Sequence, residues 1–378
     1  MTRTLIILTL SLCAVLTGIV WWLQREPPPP ENDFLLPLGL LDDLSSEGFA
    51  AVSGDWEFRF PRDHAAHPDF RSEAWTLAAT LEDADGEQLG LQFTLLRLAL
   101  SPETPEHPSA WATNELYRAS LVVGDVAGDR LLAEERLSRV ALELAGSDTH
   151  PPRVWLENWM LEADDTGLAL SAATEDLQVA LRLEPLKAPV LRPAQGRGEA
   201  AFHAYALPRL AVRGELLVQG EGREVVGLAW LDRAWGAVPI SRGQQALDRF
   251  LVQLDDGREL AIFRLHRRGG GGTPIPTVLL INEDGEVREY GRREVELEPT
   301  RHWESPRDGT RYPLAWRLRL PAESLVLALE PLREAQELDM LLRYWAGSLT
   351  VSGEADGAPV QGVGYLELTG YADTVQTL

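Results

Sequence analysis

"LEDADGEQLGLQFTLLRLAL", Leu81 to Leu100, decides the fold. Apolar and polar residues alternate on either side of an Asp-Gly pair, so the stretch reads as a strand, a tight turn and a second strand. The scheme recurs in "LVQLDDGRELAIFRLHRR", Leu251 to Arg268, and in "VLLINEDGEVREYG", Val278 to Gly291. Helical periodicity is weak throughout. Its best candidate is "PLREAQELDMLLRYW", Pro331 to Trp345, which reads as a helix or as a short turn before a strand. Many short strands with regularly spaced turns predict an all-β protein, a sandwich or a barrel.

Two of these hairpins end alike, on Arg97-Leu98 and on Arg264-Leu265, a short internal repeat that supports two β-barrels. Between them "LEPLKAPVLRPAQGRGEA" collects Pro, Gly and charge, the signature of a junction. The expected domains are therefore 50–190 and 191–378. "RRGGGG", Arg267 to Gly272, lacks the strand-loop-helix context and the Lys of a phosphate loop, and reads as a hairpin tip.

The chain begins "MTRTLIILTLSLCAVLTGIVWWLQREPPPP". No charge interrupts Leu5 to Leu23, which is about the length that spans a bilayer. Arg3 precedes the segment and Trp21 and Trp22 end it, so the positive-inside rule places the body outside the cytoplasm. No A-x-A site marks a cleavage point, which favours an uncleaved anchor over residues 1–26 rather than a secretory signal. Leu12 before Cys13 is bulky for lipidation. A Pro-rich spacer, residues 27–49, follows. Beyond Cys13 there is no cysteine, which excludes disulfides and thiol chemistry from the body. The expected location is periplasmic, tethered to the inner membrane, or secreted if the segment is cleaved.

The formal charge of −23 argues against nucleic acid, whose phosphates need Lys and Arg, and against adhesion to anionic lipid. The basic residues are nearly all Arg, with Lys187 the sole Lys, so Schiff-base and phosphate-loop chemistry lack their residue elsewhere. No G-x-S-x-G elbow and no H-E-x-x-H occurs, and no Ser-His-Asp pattern supports a hydrolase.

Chemistry concentrates in two stretches. In "GLAWLDRAWG", Gly227 to Gly236, Asp232 interrupts an apolar strand and shares a face with Trp230, while Arg233 and Trp235 take the other. Upstream, in "AFHAYALPRL", His203 and Tyr205 share a face. If neighbouring strands turn these faces into one barrel, His203, Tyr205, Trp230 and Asp232 converge on an apolar cavity. Asp232 is then either half of an ion pair with Arg209, Arg233 or another Arg, or an acid kept neutral by burial that protonates a double bond. In "FPRDHAAHPDFRSEAW", Phe60 to Trp75, the residues Asp63, His64, His67 and Asp69 are a poor match to metal spacing and read better as a hydrogen-bonded loop. The loop leads into a strand whose Glu73 and Trp75 share a face, and Glu73 is an inward carboxyl or a rim partner of Arg71 or Arg97.

These stretches, with "RVWLENWML", "YALPRLAVRGEL", "VQLDDGREL", "RYWAGS" and "GVGYLELTGY", resemble in order the lipocalin-like family of carotenoid 1,2-hydratases and AttH-type proteins. The likeness runs from about residue 55 to 371. It implies two lipocalin-like antiparallel β-barrels and a cofactor-independent, metal-free hydro-lyase that adds water across an isoprenoid double bond. By the family's pattern Asp232 is the proton donor and His203 its partner. Tyr205 and Trp230 are the cation-facing walls, and Trp235, Glu73 and Trp75 join them in lining the ligand. The resemblance equally implies a non-catalytic carrier of an apolar isoprenoid or lipid, or a periplasmic accessory of an ABC-type exporter. Several family positions differ here: Ala74 and Thr76 beside Glu73, Ala234 after Asp232, and Leu247 and Arg249 around Asp248.

Overall fold

The computed structural model describes residues 46–103, 113–196, 201–236, 245–267 and 274–372. The expected anchor with Cys13, most of the Pro-rich spacer and the glycine run of "RRGGGG" lie outside the described residues. Among the described residues no helix is long and apolar enough to cross a membrane.

The chain is all-β, built from one nearly closed barrel-like sheet and one half-barrel. Twelve strands form the first sheet. They are β1 (Ser72–Asp83), β2 (Gln88–Ala99), β3 (Glu115–Asp125), β4 (Arg130–Arg139), β5 (Ala145–Thr149) and β6 (Pro152–Leu156), then β7 (Trp159–Asp164), β8 (Gly167–Ala173), β9 (Leu177–Pro185), β10 (Val190–Gln195), β11 (Phe202–Val218) and β12 (Glu221–Gly236). Its main path runs β4-β3-β2-β1-β12-β11-β9-β8-β7-β6-β5, with β10 beside β11. The second sheet takes β13 (Gln245–Leu254), β14 (Glu259–Arg267), β15 (Ile275–Ile281), β16 (Val287–Tyr290) and β17 (Glu296–Glu304). It is completed by β18 (Arg311–Leu320), β19 (Leu325–Pro331), β20 (Glu337–Asp339), β21 (Arg343–Ala355) and β22 (Ala358–Thr369). In both sheets the first strand pairs antiparallel with the last, β1 with β12 and β13 with β22.

All three hairpins read from the sequence are present, as β1–β2, β13–β14 and β15–β16. Their turns place Gly86, Gly257 and Gly285 at φ of 81°, 85° and 85°, a region that penalises any side chain with a Cβ. Of the two readings of Pro331 to Trp345, the short turn before a strand is the one present, since the stretch holds β20 and the start of β21. The division at 190/191 falls inside β10, a strand hydrogen-bonded to β11 of the first sheet, and the two sheets divide the chain between Gly236 and Gln245. The described part of the Pro- and Gly-rich run thus carries the end of β9 and all of β10.

Each sheet wraps its own apolar core, the first around Trp75, Phe93, Trp159 and Trp235, the second around Phe250, Trp316 and Trp345. A third cluster, with Ala78, Trp230, Leu251, Tyr344 and Tyr365, joins the sheets face to face. The approach is close: a Cβ on Gly90 would stand 2.6 Å from Ser348 Oγ. Polar clasps complete the joint. Gln253 Nε2 donates to Pro208 O and Ala229 O at 2.7 and 2.9 Å. Lys187 Nζ donates to Gly257 O (2.5 Å), Asn282 O (2.6 Å) and the buried Glu259 carboxylate (2.8 Å).

Candidate functional site

Strand alternation builds the site. On β12, Leu231, Arg233 and Trp235 point into the first barrel, and across the ladders Trp235 stands opposite Glu73 and His203, and Arg233 opposite Trp75 and Tyr205. Cross-strand partners share a face, so Glu73, Trp75, His203, Tyr205, Arg233 and Trp235 gather at one end of the barrel interior. The segment 46–71 lies over this end and drops a short turn, Arg62–His64, into it.

Glu73 is the electrostatic centre. One oxygen accepts from the His67 backbone N–H (2.6 Å) and Arg97 Nη1 (3.1 Å). The other accepts from Arg233 Nη2 at 2.8 Å and faces His67 Nδ1 at 3.2 Å. Burial alone would push this carboxyl up, but the His67 hydrogen bond and the two guanidinium groups outweigh it and hold it at about 2. Arg233 also donates to Ala65 O, Ala74 O and Ala234 O, and its guanidinium lies 3.7 Å from the centre of the Trp75 ring. Arg97 reaches Phe70 O, Pro68 O and Glu115. The arginines thereby fasten the 46–71 segment to the barrel.

Beside this knot, His64 Nδ1 and the Tyr205 hydroxyl are 2.6 Å apart. Burial, then the Arg233 charge, pull the His64 imidazole down to about 4, so it is neutral at pH 7 and can accept from the phenol. Burial pushes the Tyr205 hydroxyl up. Asp63 stays below the usual carboxylate range: burial opposes, but His67, the Arg59 N–H and the Trp56 indole prevail. His67 stacks on Trp235 with ring centres 4.0 Å apart. Against this density of partners, three buried polar atoms have none among the described residues: His203 Nδ1, Arg233 Nε and Trp235 Nε1. Each unsatisfied group costs on the order of 1–3 kcal/mol, so three at one end of one barrel mark a site.

The expected convergence is corrected in one respect. His203, Tyr205, Trp235, Glu73 and Trp75 do meet, but Asp232 and Trp230 do not join them. Asp232 stands opposite Ala206 and Thr76 and faces the second sheet, while His203 faces the barrel. There Asp232 accepts from Trp230 Nε1 at 2.9 Å and from Arg249 Nη1 at 2.9 Å, and Arg249 Nη2 holds Glu367 at 2.9 Å. The ion-pair alternative for Asp232 is what the structure has, with Arg249 as partner. Each strand's own period does not fix the register between strands, which here sets Asp232 opposite Ala206 rather than His203 or Tyr205. Arg233, expected only as a possible ion-pair partner of Asp232, and His64, expected in a hydrogen-bonded loop, are central. The signal for Arg233 was its place on the Trp235 face. Asp63, His64 and His67 spend their contacts on Trp56, Tyr205 and Glu73, and among the described residues no group of three or more His, Cys, Asp or Glu is arranged to hold a metal.

The second sheet carries a related cluster. Asp248 on β13 stands opposite Arg264 on β14, as Glu73 stands opposite Arg97. Its carboxylate meets Arg264 Nη1, His266 Nε2 (3.1 Å) and the Tyr371 hydroxyl (2.9 Å).

With this geometry in hand, comparison with known proteins is decisive. The AttH-like family model matches residues 51–371. The chain belongs to the AttH-like family. Among solved structures, one assigned to AttH from Nitrosomonas europaea is 29% identical, with a TM-score of 0.73 over 86% of this chain and all of that one. Kievitone hydratase from Nectria haematococca shares the fold at 17% identity and TM-score 0.62, covering 88% of this chain and 98% of that one. CghA shares it more distantly, at 15% identity and TM-score 0.51 over 87% and 98% of the two chains. No curated protein sequence matches.

Proposed function

We propose that this AttH-like protein is a carrier that binds a long apolar molecule, an isoprenoid or lipid, at the strapped end of its first barrel. One observation carries the reading: Glu73, Asp63 and Asp232 are each bound to hydrogen-bond donors, so none stands free at this end to protonate an unactivated double bond. Glu73 is held at about 2 by His67 and two arginines, Asp63 lies below its usual range, and Asp232 is clasped by Arg249 on the far face. The aromatic and aliphatic lining suits an apolar guest. The N-terminal segment, if it anchors the chain as its sequence suggests, would keep the barrel beside the bilayer where such molecules partition. A role as accessory to an ABC-type exporter is compatible with that placement.

A second reading, hydration of a double bond polarised by a neighbouring group, has one observation in its favour: the 2.6 Å contact between Tyr205 and His64, able to shuttle a proton from water. The fold shared with kievitone hydratase adds support for that class of chemistry. The test incubates purified protein with acyclic carotenoids and shorter isoprenoids, following tryptophan quenching for binding and chromatography for hydroxylated product. Binding without product is expected. Product that disappears in Tyr205→Phe and persists in Asp232→Asn would replace the carrier reading with the second.

A further inference from the structure

The segment above the site has an unusual hold on it. Trp56, Phe58 and Phe60 lie two residues apart, so in extended chain they project on one side like the teeth of a comb. Trp56 packs on His203 and Trp235 with ring centres 5.2 and 5.5 Å away, Phe58 on Tyr205 and Trp235 at 5.9 and 5.8 Å, and Phe60 on Tyr205 at 5.0 Å. The comb therefore covers two of the three side chains with unpartnered atoms, and it satisfies neither. The Trp56 indole, its one side-chain donor, is turned away to Asp63. The backbone of the comb is thinly held. Among the described residues it is fixed by the Ala50 N–H on Asp69 O at one end and, at the other, by the Arg59 N–H on the Asp63 carboxylate and the Asp63 N–H on Arg59 O. Phe60 is 38% exposed. Extended chain with few backbone hydrogen bonds opens at low cost. Below it the space between His64, Trp75, Leu161 and Leu231 is too narrow for a water molecule.

We infer that the comb occupies the ligand's own place, and that the ligand is a neutral apolar molecule bearing a hydrogen-bond acceptor, which displaces Trp56 and Phe58 and takes the bonds that His203, Arg233 and Trp235 leave unmade. The inference rests on the apolar-ligand reading above and names the chemistry of the head group. Trp235 Nε1 and Arg233 Nε are donors only, so the group they await is an acceptor, a carbonyl or ether oxygen. It is neutral because the Arg233 charge is already matched by Glu73 at 2.8 Å, leaving no surplus cation for a carboxylate. A plain hydrocarbon would displace the comb and gain nothing from the donors.

The experiment uses three probes with one C15 skeleton: farnesal, the hydrocarbon farnesene and the anion farnesoate. Each is titrated into the wild-type protein and into Trp56→Ala/Phe58→Ala, with quenching of the remaining tryptophans as readout. Both targets are partly exposed residues of an irregular segment, and a thermal melt confirms that the double variant folds. Farnesal is expected to bind the variant at least tenfold more tightly than the wild type, and at least fivefold more tightly than either other probe. Hydrogen exchange of the intact protein is expected to show amides 50–60 losing protection when farnesal is added. Unchanged affinity in the variant, or protection that stays or rises, overturns displacement. Equal binding of farnesal and farnesene overturns the acceptor. If no probe binds either form, the carrier reading itself falls.

Discussion

Glu73 and Asp248 each face an arginine across the first hairpin of their sheet and each meets a histidine, and there the likeness stops. Glu73 has two arginines, both essentially buried, and a backbone N–H. Asp248 has one arginine, 17% exposed, with a histidine and a tyrosine. The partners come from different places. Around Glu73 they tie in the segment that precedes β1, while around Asp248 the Tyr371 hydroxyl ties in the segment that follows β22. The same cross-strand acid–arginine pair has become a lock for the incoming chain in one sheet and for the outgoing chain in the other. Among the described residues, buried polar atoms without partners accompany the first lock and not the second, which is why the proposed ligand site lies at the first.

The comparison is broken or sharpened by substitution. Glu73→Gln leaves the buried Arg233 guanidinium without its carboxylate and takes one of two from Arg97, and is expected to cost about 3–5 kcal/mol, read as a lower midpoint in urea unfolding. Asp248→Asn leaves Arg264 partly in water and should cost less, on the order of 1–3 kcal/mol. Equal losses would show that the two clusters are energetic equivalents. Acidity separates them further. His64 is held at about 4 when folded against an ordinary 6.5, so the unfolded chain binds more protons between those values, and stability falls as pH drops from 6.5 to 4. Glu73, ordinarily near 4.5, adds a second loss as pH falls from there towards 2. His64→Gln should flatten the upper window of a midpoint-against-pH curve and leave the lower one. Smallest is Asp232→Asn: the residue is 31% exposed, Arg249 keeps Glu367, and the change should stay within about 1 kcal/mol without altering ligand binding.

The sequence made the strands and hairpins legible because a two-residue period and Asp-Gly turns are local properties. It also showed that Glu73 and Trp75 share a face, as do His203 and Tyr205, for the same reason. The relation between strands is set by register, and a shift of one residue reverses every side chain. That is why the shared face of Asp232 and Trp230 is legible in the sequence while the cavity they face is not. Near residue 190 Pro and Gly accompany a strand of the first sheet, because connections within a sheet use the same residues as connections between sheets. The comb had a legible signal, aromatic residues at 56, 58 and 60, but nothing local says what an unpaired strand will cover.

Lys187 has a consequence for how this molecule can be watched. It carries the sole side-chain amine in the sequence, and in the folded protein that amine is spent on two carbonyls and a carboxylate of the second sheet. An amine-reactive label should therefore find the body of the native protein almost silent. Labelling at Lys187 would record the moments when the loop after β9 lets go of the neighbouring sheet, making one residue a clock for the joint between the two halves.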